Sequence, residues 1–307
     1  MVRRASSAGA TAATGPIAGV PGSFHVREPV RVVGSVMVDD ITTEPGRARS
    51  LSYGGVGHNV VRQLARCGIR ATFITVSSDE APLAEARAAG VRVLTKRVEQ
   101  GVGYFEGKLD ASGDVVRTSI TLPALEALDD AFLDDCMSLE NGTIVMETGL
   151  PARVRRRCLA HALRSGDTAW ALPTRLDVET GAREMLSQFD AVVLNEREAA
   201  TLLSRDLPDM SAVLAAARDL LAARTSLVAI TLGADGVVVK TPCFTGHLPA
   251  RAVSVTSTLG AGDAFAAGLC ATLARRGTLE AAARHGLELA SRVVASPYSV
   301  PAEGASP

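Results

Sequence analysis

The sequence predicts an α/β protein with a mostly parallel central sheet, helices on both faces and a small additional β-sheet. From residue 30 onward, short apolar runs alternate with amphipathic stretches at helical spacing. The chain has 307 residues, 47% hydrophobic and 21% charged, enough to bury a large core. A hairpin pattern between residues 104 and 120 interrupts the alternation.

Taken in order, Arg31–Val38 (RVVGSVMV) reads as one buried strand. Val56 to Cys67 follows as a helix, with apolar residues at 56, 60, 61, 64 and 65. Ala71–Val76 is a strand, Pro82–Ala89 a short helix and Val91–Leu94 a further strand. Tyr104–Leu109 and Val115–Ile120 flank the turn Asp110-Ala-Ser-Gly113. A hairpin there does not join a parallel sheet as a crossover, so it predicts a small sheet with residues around 40 to 53. A lid over a cleft and a surface decoration both fit that pattern. Alternation resumes with a strand at Thr143–Met146, a helix at Pro151–Leu163 and strands at Thr168–Leu172 and Ala191–Leu194. Helices at Glu196–Leu203 and Ser211–Ala223 come next, then strands at Leu227–Leu232 and Gly236–Val239 around Gly233-Ala-Asp-Gly236. The last two elements are helices, Ala264–Arg275 and Leu279–Val294. Such sheets bind ligands beyond the carboxyl ends of their strands. Residues 1–28, rich in Ala, Gly, Ser and Thr, read as a flexible tail. Residues 29–300 read as one domain with lid segments near 40–53 and 99–120, and 301–307 as a second tail.

Composition excludes several functions. A net charge of −1 supplies no basic field for nucleic acid or an anionic membrane. No apolar run reaches the roughly 18 residues of a spanning helix. Cysteines at 67, 136, 158, 243 and 270 lack the spacing of a zinc site or disulfide framework, which points to reduced thiols and a cytoplasmic location. The five histidines show no metal-binding spacing either. A dinucleotide-dependent oxidoreductase would need Gly-x-Gly-x-x-Gly after the first strand, and Gly34-Ser-Val-Met does not supply it.

The most informative segment is Val255-Thr-Ser-Thr-Leu-Gly-Ala-Gly-Asp-Ala-Phe265, a run of small residues leading into an apolar helix that starts near Asp263. Gly260 and Gly262 free the backbone to aim consecutive N–H groups at one place, and a helix amino terminus adds unpaired donors. That combination suits a phosphate. Asp263 fits a helix N-cap, and it fits a base that accepts a proton from a hydroxyl attacking a phosphoryl group. Position alone does not choose.

Thr-Leu-Gly-Ala-Gly-Asp-Ala-Phe, residues 258–265, resembles the C-terminal signature of the ribokinase-like (PfkB-type) carbohydrate kinases, and the likeness extends from residue 30 to about 295. The resemblance implies ATP-dependent transfer of a phosphoryl group, with Mg2+, to a hydroxyl of a small-molecule sugar or nucleoside. Asp263 would be the base, and Gly260, Ala261 and Gly262 the anion hole. Gly34-Ser-Val-Met-Val-Asp39 resembles the first strand with its sugar-binding aspartate, Asp39. Gly54-Gly55-Val-Gly-His-Asn59 resembles the amino-terminal signature, which implies substrate contacts at Gly55 and Asn59. Glu147 would line the substrate side. Asn195-Glu-Arg-Glu198 resembles the motif that organises magnesium and phosphates through water, with Asn195 near the nucleotide and Glu198 near the metal. Thr231, Gly233 and Gly236 resemble the nucleotide-binding turn. Read from the residues alone, Gly54-Gly55 is first a tight strand-to-helix turn and Glu147 a solvated carboxylate, while Glu198 also fits a first-turn acid and Gly233–Gly236 a hairpin. The resemblance also leaves open a homodimer through the lid and a non-catalytic ligand-binding member.

Pro45-Gly-Arg47 ahead of Gly54-Gly-Val-Gly-His-Asn59 resembles the pseudouridine kinase branch, which implies phosphorylation at the 5′ hydroxyl of a C-linked nucleoside. Ribose, ketose and other nucleoside kinases share most of the framework. Three departures stand out. Met37 replaces a common Asn, Ser78-Asp-Glu80 replaces Gly-Asp-Asp, and Ser257 replaces the aspartate tied to a monovalent-cation site, which puts potassium activation in doubt.

Overall fold

A computed structural model describes residues 26–43, 48–99, 102–110, 115–121, 124–174 and 182–296. Residues 1–25 of the expected tail, Pro45-Gly-Arg47, the Ala111–Gly113 turn and residues 301–307 lie outside the described residues.

Nine strands form the main sheet. They are β1 (Val30–Val33), β4 (Ala71–Ser77), β5 (Arg92–Arg97), β8 (Thr143–Glu147), β9 (Thr168–Leu172), β10 (Ala191–Asn195), β11 (Leu227–Thr231), β12 (Val237–Thr241) and β13 (Phe244–Leu248). Their order is β13-β12-β11-β10-β9-β8-β1-β4-β5, parallel except where β12 and β13 run antiparallel at one edge. The central strands are apolar on both faces because both are covered. On one face, α1 (Val56–Arg66), α2 (Ala81–Ala88), α8 (Ala261–Ala274) and α9 (Leu279–Val294) pack around Phe73, Trp170 and Phe265. On the other, α3 (Asp130–Ser138), α4 (Ala152–Ser165), α5 (Ala182–Leu186), α6 (Glu196–Leu202) and α7 (Met210–Asp219) pack around Ile74, Ile144 and Phe189. This is the expected architecture. The α3 and α5 helices and the β13 strand are additions to the sequence reading.

The expected single strand over 31–38 is two strands. β1 ends at Val33, the chain crosses through Gly34–Val36, and Met37 opens β2 (Met37–Thr43) in a second sheet. Gly34 permits the crossing, since a Cβ there would come within 2.8 Å of Gly57 Cα. The second sheet has the order β3-β2-β6-β7, with β3 (Ala48–Gly54), β6 (Gly103–Leu109) and β7 (Val115–Thr121). Pleating alternates side chains between faces. Asp39 pairs with Phe105, and Phe105 with Ile120, so the three share the face toward the main sheet's carboxyl ends. Asp40, Leu51 and Tyr104 share the opposite face.

At the amino ends of the strands a buried ion pair ties β1 to the start of β9. Arg31, 2% exposed, donates from Nη2 to Asp167 Oδ2 at 2.5 Å and from Nη1 to the Met137 carbonyl at 2.8 Å. The Gly142 N–H also donates to Asp167, at 2.8 Å. Asp167→Ala leaves the Arg31 charge buried and uncompensated, and lowers stability by about 3–5 kcal/mol. Urea unfolding checks this. Turnover per folded molecule stays unchanged, because the pair lies at the opposite end of the strands from the cleft.

Candidate active site

A cleft of about 370 Å³ opens between the carboxyl ends of the main-sheet strands and the second sheet. Its size suits a small molecule. Glycine builds the end of it at α8. Gly260, with φ of 78°, is the N-cap of α8, which begins at Ala261, two residues ahead of Asp263. Asp263 is the third residue of the helix, two positions inside its first residue rather than at the cap. Its carboxylate accepts from Asn59 Nδ2 at 2.9 Å, across from the first turn of α1. The first-turn N–H groups of a helix have no intrahelical acceptor. Here the Ala261 N–H leans toward the Thr258 carbonyl at 3.4 Å, while Gly260 and Gly262 line the cleft. A Cβ on Gly262 would meet nothing within 4 Å, so bare backbone faces open space.

Four carboxylates line the same cleft. Asp39, on β2, lies flat over Gly54, where a Cβ would stand 1.8 Å from Asp39 Oδ2. Burial pushes Asp39 up to about 7. Asp263 reaches the cleft mouth but is otherwise surrounded by protein. Burial raises it to about 7, the charges of Glu147, Asp39 and Glu198 add to that, and the Asn59 hydrogen bond opposes it. Glu147 ends β8 and is also raised by burial, against hydrogen bonds from Ser35 and Gly57. Glu198 is raised by burial to about 7, against hydrogen bonds from Asn195. Between the usual carboxylate range and about 7, the folded protein holds protons that the unfolded chain has released. These groups therefore contribute less stability as pH rises through that window. A cluster that costs stability at neutral pH is characteristic of functional sites.

The profile of the pfkB family of carbohydrate kinases matches residues 28–303. The chain belongs to the pfkB family. Guanosine-inosine kinase from Exiguobacterium acetylicum is 25% identical over 258 residues, 80% of this chain and 85% of that one. 1-Phosphofructokinase from Rhodobacter capsulatus is 30% identical over 256 residues, 76% of this chain and 79% of that one. Ribokinase from Giardia lamblia superposes with a TM-score of 0.78 at 20% identity, covering 89% of this chain and 95% of that one, so the fold is ribokinase-like. The protein is a phosphotransferase with an alcohol group as acceptor.

Within this pfkB kinase, Asp39, Gly55, Asn59, Glu147, Asn195, Glu198, Thr231, Gly260, Gly262 and Asp263 all line one cleft. Ala261, Gly233 and Gly236 are not in its lining. Gly236 answers to packing: its φ is 94° and a Cβ would strike the Leu248 carbonyl oxygen at 2.0 Å. Asn195 and Glu198 form a capping box on α6. Asn195 Oδ1 accepts from the Glu198 N–H at 2.8 Å, and Glu198 Oε2 accepts from the Asn195 N–H at 2.7 Å. The helix cap and the cleft wall are thus built by the same two residues. Sequence reasoning missed Phe105, Ile120 and Thr174 as lining residues. Alternation within the hairpin signals the shared face of Phe105 and Ile120, while nothing local marks Thr174. Ser257 Oγ accepts from the Leu259 N–H at 3.2 Å, and the N–H groups of Thr256 and Ser257 donate to the Val294 carbonyl at 2.7 and 3.2 Å, tying the turn to the end of α9.

No Lys, Arg or His is among the described residues lining the cleft. A polyphosphate in this lining would have helix-end amides and carboxylates as neighbours, and a divalent cation would offset the like charges. Among the described residues no three-ligand metal cage exists. All-oxygen donors without a cage suit magnesium, which keeps several waters and is held largely by phosphates.

Proposed function

We propose that this kinase transfers the γ-phosphoryl group of ATP to a hydroxyl of an uncharged nucleoside, with pseudouridine, at its 5′ hydroxyl, as the acceptor. The observation that carries the reading is the Asp263 carboxylate, held by Asn59 at the open end of α8. There a carboxylate and the glycine-flanked amino end of a helix meet in one cleft. Asp39 and Asn59 bind and orient acceptor hydroxyls, each of which both donates and accepts. Asp263 takes the proton of the attacking hydroxyl. The amides at Gly260–Gly262 stabilise charge on the moving phosphoryl oxygens. Asn195 and Thr231 border the nucleotide, and Glu198 would hold magnesium, which would supply neutralising charge to the phosphates. Phe105 and Ile120 cover the acceptor from the second sheet, which acts as the lid.

The absence of a cationic side chain in the described lining disfavours a phosphorylated acceptor, so the likeness to 1-phosphofructokinase is read as shared framework. The likeness to guanosine-inosine kinase and the apolar lid residues Phe105 and Ile120 support a ring-bearing acceptor. Leu51, 62% exposed, and Tyr104 on the outer lid face support a homodimer through the lid.

An ADP-release assay tests the reading with pseudouridine, uridine, adenosine, ribose, ribose 5-phosphate, fructose and fructose phosphates. The expected outcome is highest kcat/KM with pseudouridine and none with the phosphorylated sugars. Exclusive use of a sugar phosphate overturns it. Omitting potassium leaves the rate unchanged, since Ser257 and the end of α9 already order the turn through hydrogen bonds.

A further inference from the structure

We propose that Glu147 is a positioning residue: its carboxylate clips the Gly34–Val36 crossover to the first turn of α1 and so sets Asp39 and Asn59 around Asp263. Glu147 ends β8 and is 5% exposed. Its Oε2 accepts from Ser35 Oγ at 2.9 Å, and the backbone N–H groups of Ser35 and Gly57 favour its ionised form against burial, with a Cβ built on Gly34 lying 3.1 Å from both Glu147 Oε2 and the Gly57 nitrogen. These donors come from two segments that touch with almost no clearance. A Cβ on Gly34 would lie 2.8 Å from Gly57 Cα and 3.1 Å from Glu147 Oε2, and a Cβ on Gly55 would lie 2.8 Å from the Ser35 carbonyl oxygen. The His58 N–H completes the joint by donating to that carbonyl at 3.2 Å.

What leaves the joint explains its importance. On one side the crossover runs into β2, which carries Asp39. On the other, α1 carries Asn59, the residue that hydrogen-bonds Asp263. A buried carboxylate satisfied by backbone amides fixes two segments at once, and no apolar side chain could replace it without stranding those amides. Glu147 also acts through its charge. The ionisable and polar groups facing Asp263 are Asn59 from α1, Asp39 from β2, Glu147 from β8 and Glu198 from α6, and the three carboxylates disfavour its ionised form. The inference rests on the reading of Asp263 and Asn59 given above.

The test uses the full chain with Glu147→Ala and Glu147→Gln, followed by acceptor kinetics, pH profiles and amide hydrogen exchange over residues 34–59. Glu147→Ala is expected to lower kcat/KM for the acceptor about 100-fold, as small displacements of positioned groups do, with nucleotide KM unchanged. Exchange at Ser35 and Gly57 accelerates in the same variant. Glu147→Gln keeps a carbonyl acceptor, restores most of the protection and activity, and moves the acid limb of the rate profile to lower pH, because a negative charge beside Asp263 is gone. Unchanged exchange and kinetics in Glu147→Ala overturn the clip even if Asp263 proves essential. If Glu147→Ala does not fold, Ser35→Ala, which removes the hydroxyl donor to Glu147 Oε2, decides instead, and unchanged exchange at Gly57 with unchanged acceptor kinetics overturns the proposal. Retained turnover in Asp263→Asn defeats the reading of the site instead, while the exchange data still judge the clip.

Discussion

Replacing Asp263 with Asn lowers turnover by about two to four orders of magnitude while nucleotide affinity changes little. The carboxamide is nearly isosteric and still fills the space beside Asn59, so the α8 turn keeps its shape. What it lacks is the ability to accept the hydroxyl proton. The wild-type rate is expected to rise with pH through about 7, where burial and the neighbouring carboxylates set the ionisation of Asp263. That limb is absent from whatever residual rate the variant shows. Stability moves the other way. Above about pH 7 the wild-type protein carries an ionised carboxylate surrounded by Glu147, Asp39 and Glu198, so the neutral variant unfolds at a higher temperature at pH 8. Loss of rate with gain of stability separates a lost base from a damaged fold. Initial velocities and thermal melts at pH 6 and pH 8 check both signs.

Gly262→Val is expected to lose turnover by about 100- to 1000-fold while folding normally. The added Cβ meets no atom within 4 Å, and the position is the second residue of α8, where a β-branched side chain costs under about 1 kcal/mol. The open space it enters belongs to the cleft, where a phosphoryl group would approach the backbone donors. The valine methyl groups keep that group away, so nucleotide KM rises along with the fall in kcat. Gly260→Ala damages the protein differently. Its φ of 78° strains any side chain, so part of its effect appears as lost stability. Far-UV circular dichroism and nucleotide titration on Gly262→Val distinguish a blocked site from a misfolded one.

The repeating pattern of the chain revealed most of the main sheet, because buried parallel strands are apolar on both faces and read as continuous runs. It failed where structure depends on distant contacts. RVVGSVMV looks like one strand, yet the chain leaves the sheet at Gly34 because Gly57, more than twenty residues later, passes beside it. The α3 helix buries only Leu133, Cys136 and Met137 among polar neighbours, and α5 spans five residues, too few to establish a helical period. Edge strand β13 carries Gly246 and His247 and shows no alternation.

The candidate site divides in the same way. Motifs signalled Asp263, Asn59, Asp39 and Glu198, because a glycine-rich helix start and capping residues are local features. Gly236 does not line the cleft, and its contact with Leu248 is by itself reason enough for glycine there. Phe105, Ile120 and Thr174 enter the cleft only when separate elements come together. The pairing of Asn59 with Asp263 spans 204 positions, and no local pattern encodes it.

The most direct measurement is a structure of the protein with ADP, an acceptor nucleoside and a planar aluminium fluoride mimic of the transferring phosphoryl group. The account predicts mimic fluorines within about 3 Å of the N–H groups in the Gly260–Asp263 turn, and an Asp263 oxygen at similar distance from the acceptor hydroxyl. A mimic bound away from that turn, or an acceptor hydroxyl out of reach of Asp263, contradicts it.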